Sequence, residues 1–200
     1  VRRVALRGLV AAILLAAAAC AGVATTTPPT PSGDRPVRIE ANRTPLGVGG
    51  AVLAPGVRYA GGLTLRGEAL HGLSHLKIVG DRAWVGSDFG GMIRFSLVHD
   101  TAGRLVSAEA AVARSLTGLD GAVLEDKARA DAEGLAILAD GRVLIAFERD
   151  HRIWSYGVEG EHPPVAVAAP AVELPDNAGF EGLASAAPGW LVLGEEGGGW

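Results

Sequence analysis

The sequence predicts an all-β fold, a β-propeller of antiparallel blades with about three blades present and the ring incomplete. Three observations carry this expectation. Residues 133–148, EGLAILADGRVLIAFE, recur as residues 181–196, EGLASAAPGWLVLGEE, at a constant offset of 48. Glu133 falls on Glu181, Gly134 on Gly182, Leu135 on Leu183, Gly141 on Gly189 and Glu148 on Glu196, and a period in this range marks a repeat architecture. A looser copy precedes them: His71-Gly72-Leu73 aligns with Glu133-Gly134-Leu135, and after a two-residue shift Asp88 stands where Glu148 stands. From about Leu46 onward, short apolar runs alternate with Gly, Asp and Pro, the pattern of many short antiparallel strands.

The elements follow in chain order. Residues 1–20 read as a signal peptide: Arg2, Arg3 and Arg7 precede a twelve-residue apolar run, Gly8 to Ala19, which is too short for an ordinary membrane-spanning helix. The run ends in Ala17-Ala18-Ala19-Cys20. Small residues before the only cysteine suggest a lipobox, with Cys20 as the lipidation site and new N-terminus; an ordinary secretory signal cut at Ala-x-Ala is the alternative. Residues 21–45 contain Thr25-Thr26-Thr27-Pro28-Pro29-Thr30-Pro31, a disordered Pro/Thr-rich linker unable to bury a core. Residues 46–200 form the propeller domain.

Candidate strands in that domain are Val57–Leu65, Leu73–Val79, Ala83–Ser87, Met92–Val98, Leu135–Leu138, Val143–Phe147, Arg152–Tyr156, Val165–Ala168, Leu183–Ala186 and Leu191–Gly194. Each run is short, and most carry β-branched or aromatic residues. The turn signals at 80–82, 140–142 and 188–190 separate paired strands. The Ala-rich stretch Ser107–Ser115 has weak helical character and stays unassigned. Three blades do not close a ring, since propellers have about four to eight. With Gly197-Gly198-Gly199-Trp200 directly after an inferred strand, the expectation is an N-terminal portion of a longer protein.

Composition narrows the function. The chain has 18 basic and 22 acidic residues, and three of the basic ones stand in the first seven positions. There is no basic stripe to neutralise phosphates, so nucleic acid is excluded as a partner, and the membrane is reached only through the lipid anchor. With Cys20 used, no disulfide forms within the chain, and an exported domain of this kind depends on core burial. The exported location expected is the periplasm or cell envelope.

The chemistry lies in two sets of carboxylates. Glu133 and Glu181 precede the first strand of their hairpins, while Asp88, Glu148 and Glu196 follow the second. Strand starts and strand ends share one sheet edge, so Glu133 and Glu148 are expected to be neighbours, as are Glu181 and Glu196. Asp131, two residues before Glu133, points to the same face in an extended backbone. Clustered acids persist when some are protonated, when arginines pair with them, or when they bind a hard cation. The metal ligands expected are Asp131, Glu133, Glu148, Glu181 and Glu196, with Asp88 beside them, and calcium suits such an oxygen-only set. Anchoring of turns through backbone N–H bonds is the structural alternative.

Arg129, Arg149 and Arg152 are the candidate substrate-binding residues, able to clamp a phosphate or to neutralise the acids. Ser74 beside His71 and His75 lacks a Gly-x-Ser-x-Gly elbow. No zinc spacing or phosphate loop occurs.

Gly72-Leu73-Ser74, Gly86-Ser87-Asp88, Leu119-Asp120-Gly121-Ala122-Val123-Leu124, Asp131-Ala132-Glu133-Gly134-Leu135-Ala136, Phe147-Glu148 and Gly179-Phe180-Glu181-Gly182-Leu183-Ala184 occur in this order. In them the chain resembles the phytase-like family with esterase-like activity, over about residue 46 to the end. It departs from that pattern at His71, where Gly is common, and at Phe89, where Arg is common. The resemblance implies an exported propeller with an acidic, calcium-binding face and a small-molecule phosphoester or ester substrate. Metal-assisted phosphoester hydrolysis is the function expected. A non-catalytic cell-envelope propeller that binds a ligand or protein partner is the alternative.

Overall fold

The computed structural model describes residues 33–47, 53–158, 160, 162–171, 173–175 and 178–186, and the backbone of 189–193. The expected signal peptide with Cys20, residues 21–32 of the expected linker, and Glu196 lie outside these residues. Nearly all regular structure is β. In chain order the strands are β1 (Arg35–Pro36), β2 (Glu40–Arg43), β3 (Leu63–Arg66), β4 (Leu73–Val79), β5 (Arg82–Ser87), β6 (Gly91–His99) and β7 (Leu105–Ser115). One helical turn, α1 (Lys127–Ala130), follows. Then come β8 (Ala132–Ile137), β9 (Val143–Phe147), β10 (Arg152–Tyr156), β11 (Val165–Val167), β12 (Gly182–Ala186) and β13 (Gly189–Leu193).

The strands pair antiparallel into the sheets β4-β5-β6-β7-β1, β8-β9-β10-β11 and β12-β13, plus a separate hairpin β2-β3. Strand β8 packs beside both β4 and β12. The first strands of the three sheets are therefore neighbours, as the inner strands of successive blades are around a propeller axis. The arrangement is that of an incomplete propeller.

Sheets stack through three apolar layers. Trp84 and Met92 of the first sheet meet Leu135, Val143, Ile145, Phe147 and Trp154 of the second. The opposite face of the second sheet, with Ala136, Leu144 and Ile153, takes Phe180 and Leu183 of the third. On the far side of the first sheet, Ala83, Val85, Ile93, Phe95, Ala111 and Ala113 are covered by Val37, Ile39, Leu63 and Leu65 around the β2-β3 hairpin. Strand alternation sends one set of side chains to each layer.

The structure differs from the sequence reading in four places. The strand expected over Val57–Leu65 begins only at Leu63, as β3. Residues 33–45 are not wholly linker: β1 pairs with β7 and β2 with β3, because Val37, Ile39 and Ala41 supply apolar cover that the Pro/Thr tract lacks. Ser107–Ser115 belongs to β7, a long strand. Its alanines fit under the β2-β3 hairpin, and a register shift near Ala110, at φ 51°, bends the strand so that Ala108 also turns inward. The first copy of the repeat also aligns differently. The Asp88 N–H donates to the Gly72 carbonyl and the Glu148 N–H to the Asp131 carbonyl, each at 2.8 Å. Bulges interrupt β4 between Leu73 and His75 and β8 between Ala132 and Gly134. Gly72 therefore stands where Asp131 stands, and Ser74, not His71, takes the place of Glu133. The shared Gly-Leu dipeptide set the sequence alignment three residues off.

Gly134 permits the approach of the third sheet. A Cβ there would lie 2.7 Å from the Phe180 carbonyl oxygen and 3.1 Å from Leu183 Cβ. Backbone cannot yield cheaply, so Gly134→Ala is expected to destabilise the protein by about 1–3 kcal/mol. A lower urea midpoint with an unchanged slope checks this.

Candidate metal centre

The bulge in β8 falls on Glu133. Bulged residues leave the regular alternation and re-aim their side chains, and here the carboxylate is turned towards the end of β9. Ligand atoms of Asp131, Glu133 and Glu148 all come within 4.8 Å of one another. Asp131 is 1% exposed and Glu148 6%, while Glu133 is half-buried. Glu181 is exposed and close enough to act electrostatically on Glu133. Gly179 lies close against Glu148: a Cβ would stand 3.1 Å from Glu148 Cγ, a tight contact.

Asp131 is held by two cations. Lys127 Nζ donates to its Oδ1, and Arg149 Nε donates to its Oδ2 at 2.7 Å. The same Lys127 Nζ contacts Asp88 Oδ2 at 3.1 Å and the Asp88 carbonyl at 3.2 Å. One lysine thus bridges the end of β5 to the start of β8. Its position comes from α1: the Asp126 side chain caps the turn by accepting from the Ala128 N–H at 3.2 Å, and Lys127 and Asp131 are then four residues apart on one face. The two cations hold the Asp131 carboxyl below its usual range against the opposing effect of burial.

Glu133 is shifted the other way. Burial first, then the Glu181, Asp131 and Glu148 charges, push its carboxyl up to about 7, although a hydrogen bond from Ser74 opposes the shift. His75 lies across the strand from Gly86, where a Cβ would be 1.8 Å from its Nε2. Burial lowers His75 to about 4, so its imidazole is neutral at neutral pH. Ser74 therefore has a carboxylate partner, while His71 Nδ1 lies 2.9 Å from the Glu68 carbonyl.

The sequence-predicted residues divide accordingly. Asp131, Glu133 and Glu148 are brought together, with Glu181 nearby; Asp88 is joined to them through Lys127. Arg149, with the side chain 39% exposed, faces Asp131. Its φ of 60° is an uncommon left-handed conformation for a non-glycine residue. Arg129 is exposed, and its carbonyl accepts from Arg152. Arg152 is packed over Phe147 and Trp154, its guanidinium carbon 3.9 and 4.3 Å from the ring centroids. Such contacts contribute roughly 0.5–2 kcal/mol. The sequence reading missed Lys127; Asp126 before Lys-Ala-Arg-Ala is the capping signal that marks its turn.

This donor set could hold a metal ion. It is all oxygen and rich in carboxylate, the chemistry of a hard divalent cation. Glu133 and Glu148 are the ligands that fit. Asp131 already has a basic group on each oxygen, so it orders the cations around the cluster. Two or three protein carboxylates leave much of a six- to eight-oxygen sphere to water or substrate.

The family described as "Phytase-like: Esterase-like activity of phytase" matches residues 68–200. The chain belongs to this phytase-like family, and the match spans β4 to β13 and every member of the carboxylate cluster. No curated protein matches the chain, and no solved structure does.

The Glu133 shift has a consequence for stability. Its pKa rises on folding from 4.5 to about 7, so between these values the folded state holds a proton that the unfolded state has lost. The Glu133 contribution to stability therefore falls as pH rises through that window. In chelator-treated protein, Glu133→Gln is expected to melt higher than wild type at pH 8 and close to it at pH 4.5. Thermal melts at both pH values check this, and His75 titrates in both proteins and cancels from the comparison.

Proposed function

We propose that this protein is an exported, metal-dependent phosphoester hydrolase, lipid-anchored through Cys20 at the cell envelope. The observation that supports the reading best is the convergence of Asp131, Glu133 and Glu148 at one edge of the second sheet, in a chain of the phytase-like family. Calcium is the cation that suits the donors, with Glu133, Glu148 and Glu181 as its ligands and Glu196 expected to join them.

A bound cation supplies charge for the phosphoryl oxygens and lowers the pKa of water. The chain supplies the rest. Arg149 and Lys127 offset the negative charge that a phosphoester adds to an acidic cleft, and Arg129, exposed near the same turn, extends this basic side. Burial and neighbouring charges push the Glu133 carboxyl up to about 7 when no cation is bound; a bound cation favours its carboxylate form, the form a ligand requires. Ser74 stands beside that carboxyl and favours its charged form.

One observation favours a second reading, a non-catalytic envelope propeller that binds a ligand or partner: both Asp131 oxygens are committed to side-chain cations. The two readings separate on activity. The full-length protein is expected to hydrolyse a generic phosphomonoester with calcium and not after chelation, and the Glu133→Gln/Glu181→Gln variant to lose about 100-fold or more. Equal turnover with and without calcium, or an unaffected double variant, would contradict the hydrolase reading.

A further inference from the structure

Phe89 is 57% exposed, yet its position is tightly defined. It sits in the turn between β5 and β6, where the Ser87 hydroxyl accepts from the Phe89 N–H at 3.2 Å and donates to the His71 carbonyl at 3.0 Å. The Gly90 N–H closes the turn on the Ser87 carbonyl at 3.0 Å. The ring lies on the backbone of Gly72. This residue has φ 54°, and a Cβ there would be 2.6 Å from ring atoms Cδ2 and Cε2. His71 flanks the ring with centroids 5.4 Å apart and planes at 46°. Lys127 Nζ is 5.5 Å from the ring centroid. An isolated exposed Phe on a surface needs no explanation. This one is bound on several sides, leaves more than half its surface to water, and follows Asp88 in sequence. It touches the lysine that runs on to Asp131, so the ring borders the carboxylate cluster with a single side chain between them.

We infer that Phe89 is a specificity-determining platform on which the ring of a ring-bearing phosphoester stacks while its anionic group faces Lys127 and the acidic centre. The inference rests on the hydrolase reading for the nature of the anion, and deepens it by naming the other half of the substrate. The chemistry is a flat apolar or aromatic group joined to phosphate. Offset stacking of two rings favours such a ligand over one of equal charge without a ring by about threefold to tenfold. A compact polyanion gains nothing from the platform.

The test uses the full-length protein with calcium and two ligands of the same charge, phenylphosphonate and methylphosphonate, titrated calorimetrically. Wild type is expected to bind phenylphosphonate about threefold to tenfold more tightly. Phe89→Ala is expected to bring the two affinities together, and Phe89→Tyr to keep the preference. Equal affinities in wild type, no binding of either ligand, or an equal loss for both ligands in Phe89→Ala would overturn the inference. Hydrolysis separates this failure from that of the parent reading. If phenyl phosphate and glycerol phosphate are both hydrolysed and Phe89→Ala raises their KM values equally, the platform fails and the hydrolase stands. If neither is hydrolysed but the phenylphosphonate preference holds and depends on Phe89, the hydrolase fails and the platform stands.

Discussion

A carboxylate with 1% of its surface in water cannot stay charged without partners, and Asp131 is such a group. Its two partners come from different places: Lys127 from the turn that links the first sheet to the second, and Arg149 from the turn after β9. Because Lys127 also binds Asp88, the same interaction fixes the first sheet against the second at the edge where the acids gather. The position of Glu148 depends on it as well, since its N–H is tied to the Asp131 carbonyl. Removing one partner would leave a buried charge half-compensated, a change that typically costs about 3–5 kcal/mol.

The same neutralisation sets the chemistry of the neighbouring groups. Asp131 is kept ionised, and its charge adds to those of Glu181 and Glu148 in raising Glu133. Two carboxylates at one site are thereby driven apart in pKa. The bulge that aims Glu133 inward recurs in β4, where it carries Ser74. The two bulged side chains meet across the seam between sheets. Local backbone irregularity, repeated from one sheet to the next, thus places an acid and its hydrogen-bond donor at the seam.

Much of this was legible in the sequence, and the exceptions have physical causes. Strands with β-branched and aromatic residues, such as Val143–Phe147 and Arg152–Tyr156, stood out because their side chains suit a pleated, buried surface. The meeting of Glu133 with Glu148 followed from hairpin geometry alone. Strand β7 was hidden because alanine carries little strand signal; its small side chains are selected by the hairpin packed over them. The place of Ser74 was hidden because a bulge changes register without marking the sequence. Lys127 escaped because a single helical turn gives no periodicity, and its role appears only once Asp88 and Asp131 are adjacent in space. Arg152 sits among aromatic rings from its own and the neighbouring strand, a packing that charge counting does not reveal.

The central claim is that Glu133 and Glu148, beside the cation-paired Asp131, form a centre for a divalent cation. The most direct measurement is anomalous diffraction from a crystal of the full-length protein soaked with calcium or a lanthanide analogue. The account predicts one ion between Glu133 and Glu148, with Lys127 and Arg149 still on Asp131. An ion bound only elsewhere, or none at saturating concentration, would contradict it.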